Sequence, residues 1–146
     1  MKYLLLKIDK ERYWFEIGGD SCANRQIILD EYGRFHVSCL EDCLSEGPID
    51  VTELEGDRVY LTKKEFENIW QTILKPYKEQ WEEIKKKYSI GAYVQGLNKY
   101  IYPQGTVIKG EDFLAIYKGE DPFYINKLVQ YKIDSYDNKN MWLVVA

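Results

Sequence analysis

Between Thr62 and Tyr88 the apolar residues recur at steps of three and four: Phe66, Ile69, Trp70, Ile73, Leu74, Tyr77, Trp81, Ile84, Tyr88. That spacing draws one continuous apolar stripe along a helix. Thr62 followed three residues later by Glu65 is a capping box: the hydroxyl takes an orphan amide, and the carboxylate reaches back to the cap. Pro76 sits inside the stripe, lacks an N–H and disfavours helical backbone at Lys75, so a kink belongs there. The stripe keeps its phase across the proline. The expectation is therefore one kinked amphipathic helix over residues 62–87, with Lys78, Glu79, Glu82, Glu83, Lys85 and Lys86 on its outer face. Such a helix covers and joins what lies on either side of it.

What lies on either side reads as strand. Residues 2–8 (KYLLLKI), 12–17 (RYWFEI), 24–29 (NRQIIL), 34–38 (RFHVS) and 57–62 (DRVYLT) are rich in strand formers and separated by DKE, GGD and DEYG turn signals. CLEDCLSEGPID leaves the fourth strand through about one helical turn and stops at Gly47-Pro48. Residues 1–61 thus predict an N-terminal antiparallel sheet. Residues 88–146 hold five more strand candidates, GAYVQGLNKYIY, GTVIKG, FLAIYK, KLVQYKIDSYD and MWLVVA, with turns at PQG, KGED, GEDP and DNKN. Five short strands in a segment of that size match a small five-stranded barrel of the OB type. The fold class is α+β: sheet 1–61, helix 62–87, barrel 88–146.

The chain is 146 residues long with 45% hydrophobic residues, enough for a true core. Its net charge of −4 is unevenly spread. Residues 1–61 carry seven Lys/Arg against thirteen Asp/Glu, residues 62–87 seven against five, and residues 88–146 six of each. The acidic first part is unsuited to phosphate contact, which needs positive surface. The opening MKYLLLKIDK has an apolar run too short for a signal peptide, and no run is long enough for a membrane span. Three cysteines, an odd number, argue against a disulfide framework. A cytoplasmic protein with reduced thiols and no membrane partner is expected.

Three segments carry a family resemblance: IGAYVQG (90–96), YPQGTVI (102–108) and KIDSYDNKNMWLVV (132–145). Together they resemble the ribosomal S-one-type RNA-binding domain over residues 88–146. That family opens with an apolar-Gly strand, follows with a strand after a turn glycine, and closes with an apolar-x-x-x-Asp hairpin. Ile133 and Asp137 are similar to that last pattern. The resemblance implies an OB barrel and binding of single-stranded RNA or DNA. In the family a basic residue follows the first-strand glycine and two aromatics flank the turn glycine. The corresponding positions here are Leu97, Gln104 and Val107. Residues 1–61 faintly resemble small uncharacterised bacterial proteins, which implies no activity.

Thirteen tyrosines and four tryptophans exceed what a core of this size needs, and rings that carry a polar tip serve as surface platforms as well as core. Tyr93, Tyr100, Tyr102, Tyr117, Phe123 and Tyr124 crowd the last third. The expected nucleic-acid-binding set is Lys99, Tyr100, Tyr102, Gln104, Lys109, Tyr117 and Lys118, with rings stacking bases and lysines meeting phosphates. His36, Cys39, Cys43 and Cys22 have zinc-ligating chemistry, but not the usual spacing, and free cysteine is commonly a small buried hydrophobe. No metal, cofactor or catalytic residue is expected: His36 beside Cys39 and Asp42 is too local for a nucleophilic site, which is usually assembled from distant segments. The acidic run 41–57 reads as a solvated face. Its alternative role is a docking surface for a basic protein, as an inhibitor or immunity-type protein would have, through Glu41, Asp42 and Glu46. The functional expectation is a small non-catalytic binding module.

Overall fold

Thr62 and Glu65 close the capping box: the Glu65 amide donates to Thr62 Oγ1 at 3.1 Å, and the Thr62 amide donates to Glu65 Oε1 at 2.9 Å. The helix they start, α1 (Lys63–Leu74), buries Phe66, Trp70 and Leu74. The α-helix does not continue through Pro76. A single 3₁₀ turn, Lys75–Tyr77, takes its place, and α2 (Lys78–Lys87) resumes beyond it, burying Trp81 and Ile84. Tighter i→i+3 bonding is how the chain passes a residue that cannot donate. Tyr77, expected in the stripe, falls in that turn and is exposed.

This computed structural model describes all 146 residues, and the chain divides into two compact units, residues 1–75 and 76–146. The division falls at Pro76, so each half of the helical segment belongs to one unit. No helix is long and apolar enough to cross a membrane.

The first unit is a five-stranded antiparallel sheet: β1 (Lys2–Ile8), β2 (Glu11–Ile17), β3 (Ala23–Leu29), β4 (Phe35–Val37) and β5 (Asp57–Leu61), in the order β4-β3-β2-β1-β5. Tyr3, Glu16 and Arg25 are cross-strand neighbours on one face. Arg25 is almost fully buried there, with Nε 2.9 Å from Glu16 Oε1 and Nη2 2.6 Å from Glu16 Oε2. It also bonds both oxygens of Glu67 on α1, and its guanidinium lies 5.0 Å from the Phe66 ring and 4.9 Å from the Trp70 ring. A buried cation of this kind is stable only when its donors are matched, and here two carboxylates and two rings match them.

The second unit holds β6 (Tyr93–Tyr102), β7 (Gly105–Lys109), β8 (Leu114–Tyr117), β9 (Leu128–Asp137) and β10 (Trp142–Val145). Their order is β10-β8-β7-β6-β9, and β9 pairs again with β10, so the pairing closes into a ring. β8 and β10 run parallel; every other neighbour is antiparallel. Inside lie Val94, Ile108, Ala115, Ile133, Leu143 and Val145, packed with Trp81 and Ile84 of α2. Gly96 permits this closure, because a Cβ there would stand 2.6 Å from Ile108 Cγ2 and 2.8 Å from the Lys109 carbonyl oxygen. Strand alternation turns Val107, Ile116 and Trp142 to the other side. They are buried there too, with Tyr102 against Trp142.

Candidate functional site

The register of β6 is interrupted once. Asn98 faces Ile108 and Tyr100 faces Val107, so Lys99 is an extra, unpaired residue: a β-bulge. A bulge re-aims its side chain and reverses the facing of the residues beyond it. Before the bulge, Tyr93, Gln95 and Leu97 point outward, opposite Lys132, Gln130 and Leu128 of β9. After it, Tyr102 joins the buried layer on Trp142, with Tyr100 tilted against it at 4.9 Å.

The outward residues before the bulge line a cleft of about 750 Å³. Its floor is β6, from Tyr93 to Leu97; Leu128 bounds one side and Lys109, Glu111 and Phe113 the other, while Lys99 reaches its end. The Tyr93 ring is 67% exposed and Leu128 is 61% exposed. Lys99 Nζ donates to Asn126 Oδ1 at 2.9 Å, so the bulged lysine is positioned by a neutral acceptor. Beside the cleft Lys87 bonds Asp112 at 2.8 Å, and that bond, followed by one from the Tyr88 hydroxyl, holds the Asp112 carboxyl below its ordinary range. Glu111 is the carboxylate lining the cleft itself.

Of the expected binding residues, the structure brings Lys99 and Lys109 together here. Tyr102 is only 4% exposed, so its ring fills space instead of offering a platform. Tyr100 is half-buried beside it, and Gln104 is half-buried in the two-residue turn between β6 and β7. Tyr117 stacks on Tyr131 at 4.2 Å, with ring planes 9° apart, and both hydroxyls donate to Asp121 Oδ2, at 3.0 and 3.3 Å. Burial first, then the neighbouring Tyr117 and Asp121, push the Tyr131 phenol up to about 12. Tyr131 thus occupies one face of the Tyr117 ring, and Asp121 occupies its hydroxyl. Lys118 is exposed just past β8. The reading of the sequence missed Leu128 and left Tyr93 outside the expected set. Tyr93 had a signal, strict alternation over YVQGL, but Leu128 comes to the cleft only through the β6–β9 pairing.

In the first unit Glu41, Asp42 and Glu46 are exposed on the segment that leaves β4. Glu41 Oε1 lies 2.8 Å from His36 Nδ1, and Asp30 Oδ2 lies 2.9 Å from His36 Nε2. The histidine therefore addresses two carboxylates. Cys39 is buried, and burial, then Glu41 and Asp42, push the Cys43 thiol up to about 12, which suppresses thiolate chemistry at neutral pH. No group of three or more His, Cys, Asp or Glu side chains is arranged to hold a metal ion.

No protein-family model matches this chain, and no curated protein matches it.

Proposed function

We propose that this protein is a small non-catalytic binding module whose second unit is an OB-like barrel and whose β6–β9 cleft takes single-stranded nucleic acid, RNA foremost. The ring order β10-β8-β7-β6-β9, with β8 parallel to β10, supports the barrel part of the reading, because a five-stranded Greek-key ring is the OB arrangement. The observation that carries the ligand part is the exposed Tyr93 ring set in a cleft with Lys99 and Lys109. A base stacked on an aromatic ring contributes about 1–3 kcal/mol, and lysines beside it meet the phosphates. Stacking tolerates any base, so the reading implies weak sequence preference and strong salt dependence. The ligand would lie on β6 and β9, not on the outer side of β7 and β8, where Val107 and Ile116 are buried.

Fluorescence anisotropy with a labelled random single-stranded pool tests this. Binding is expected at low salt, weakened about tenfold or more by Tyr93→Ala. Each of Lys99→Ala and Lys109→Ala should flatten the slope of log affinity against log salt by about 0.7. Absence of binding at low salt overturns the reading. Recovery of a basic protein that depends on Glu41, Asp42 and Glu46 would put a protein-interaction role in its place.

A further inference from the structure

We infer that the binding track continues past the cleft, over the loop between β8 and β9, and ends on the exposed ring of Tyr124. This rests on the nucleic-acid reading above and adds a footprint to it.

The loop is fixed to β6 by its backbone at the bulge. The Asn98 amide donates to the Lys127 carbonyl at 3.0 Å, and the Asn126 amide donates to the Asn98 carbonyl at 2.7 Å. Asn98 Nδ2 also reaches the Tyr124 carbonyl oxygen at 3.4 Å, and Lys99 Nζ donates to Asn126 Oδ1. Asn126 adopts φ 61°, a left-handed turn that asparagine tolerates better than most residues. So tethered, the loop presents Tyr124 at 60% exposure and Ile125 at 67%. Asn126 alone separates these two residues from Lys127 and Leu128, and Leu128 lines the cleft. Lys127 Nζ sits 5.5 Å from the centre of the Tyr124 ring, on one face of it.

Two exposed tyrosines therefore mark the ends of one path, and cations accompany it throughout. Lys132 is the cross-strand partner of Tyr93, Lys109 and Lys99 lie in the cleft, and Lys127 lies at Tyr124. Asp121, an acid on the same loop, is engaged by the hydroxyls of Tyr117 and Tyr131. Tyr93 to Asn98 is five strand steps, about 17 Å at the usual rise. At about 3.4 Å per stacked nucleotide that strand part accommodates about five, and the loop to Tyr124 adds to it. This is near the lower end of the range of about 4–16 nucleotides for one OB unit.

A length series of labelled oligouridylates and oligodeoxythymidylates, from about two to about eight nucleotides, decides the matter at low salt. Affinity of the intact protein should go on climbing with length past about five nucleotides before it levels off. Tyr124→Ala, a change at an exposed position, should weaken the longer oligonucleotides about tenfold and leave the dinucleotide within about twofold, whereas Tyr93→Ala weakens both. If Tyr124→Ala binds the longer oligonucleotides as tightly as the unaltered protein while Tyr93→Ala does not, the extension is overturned and the cleft reading stands. If the unaltered protein binds no length, both fall.

Discussion

His36 is bonded on both sides of its ring, and that geometry favours the imidazolium. A neutral imidazole has one N–H, so it can satisfy only one of Asp30 and Glu41; the imidazolium satisfies both. The bond to Asp30 leads in raising the His36 pKa above its ordinary value, partial burial opposes it, and Glu41 adds to the rise. The same bond leads in lowering the Asp30 carboxyl, joined by the amides of Arg34 and Tyr32. The signs follow. The histidine's contribution to stability is complete below its unfolded value of about 6.5 and is lost as pH rises through the higher folded value. The aspartate's contribution is present above its unfolded value of about 3.9 and is lost as pH falls through the lower folded one. Thermal unfolding of His36→Gln against the unaltered protein should therefore show a gap in Tm near pH 6 that closes toward pH 9. A gap that stays constant would mean the ring is not charged in the fold. Arg25, eleven residues earlier in the sequence, is the buried counterpart of the same device, with two carboxylates around one cation, but it does not titrate in any ordinary range.

At the scale of elements, the β6–β7 hairpin shows what sequence reasoning reaches and where it stops. Its turn, Pro103-Gln104, and the need for glycine at 105 are readable, and Gly105 adopts φ +144°. The structure adds a second reason: a Cβ there would stand 2.4 Å from the Tyr117 carbonyl oxygen on β8. Gly105→Ala should then destabilise the protein by about 1–3 kcal/mol, measured by urea unfolding, and one of the same size should not appear for Gly19→Ala, where a Cβ meets nothing. All ten strands were legible, because alternation and turn residues are local. The capping box and the helical stripe were legible for the same reason. The bulge at Lys99 was not. It is a choice of backbone register with no residue type to announce it, yet it decides that Tyr102 faces Trp142 instead of sharing the inner side with Val94. Tyr100 and Tyr102 reach the outer side only through that register shift, and there the contact with Trp142 buries Tyr102. The 3₁₀ turn at Pro76 was partly legible: the proline marked the place, and only the bonding showed a 3₁₀ turn between α1 and α2.

For the whole molecule, a net charge of −4 sets the sign of the long-range field a polyanion meets. At about 0.01 M salt the screening length is about 30 Å, comparable to a small protein, and at 0.15 M it is about 8 Å. Removing the carboxylate that lines the cleft with Glu111→Gln should thus raise oligonucleotide affinity about twofold at the low salt and less at the high one. A protein partner docked on Glu41, Asp42 and Glu46 would instead lose affinity when those acids are neutralised. The division into two units has an optical consequence as well. The four tryptophans fall two to a unit, Trp14 and Trp70 in residues 1–75 and Trp81 and Trp142 in residues 76–146, and all four are buried. Each unit therefore carries its own blue-shifted fluorophores. Replacing either pair with phenylalanine leaves an emission that reports one unit alone. With no indole in the cleft, oligonucleotide binding and the melting of the two units become separable signals in the same sample.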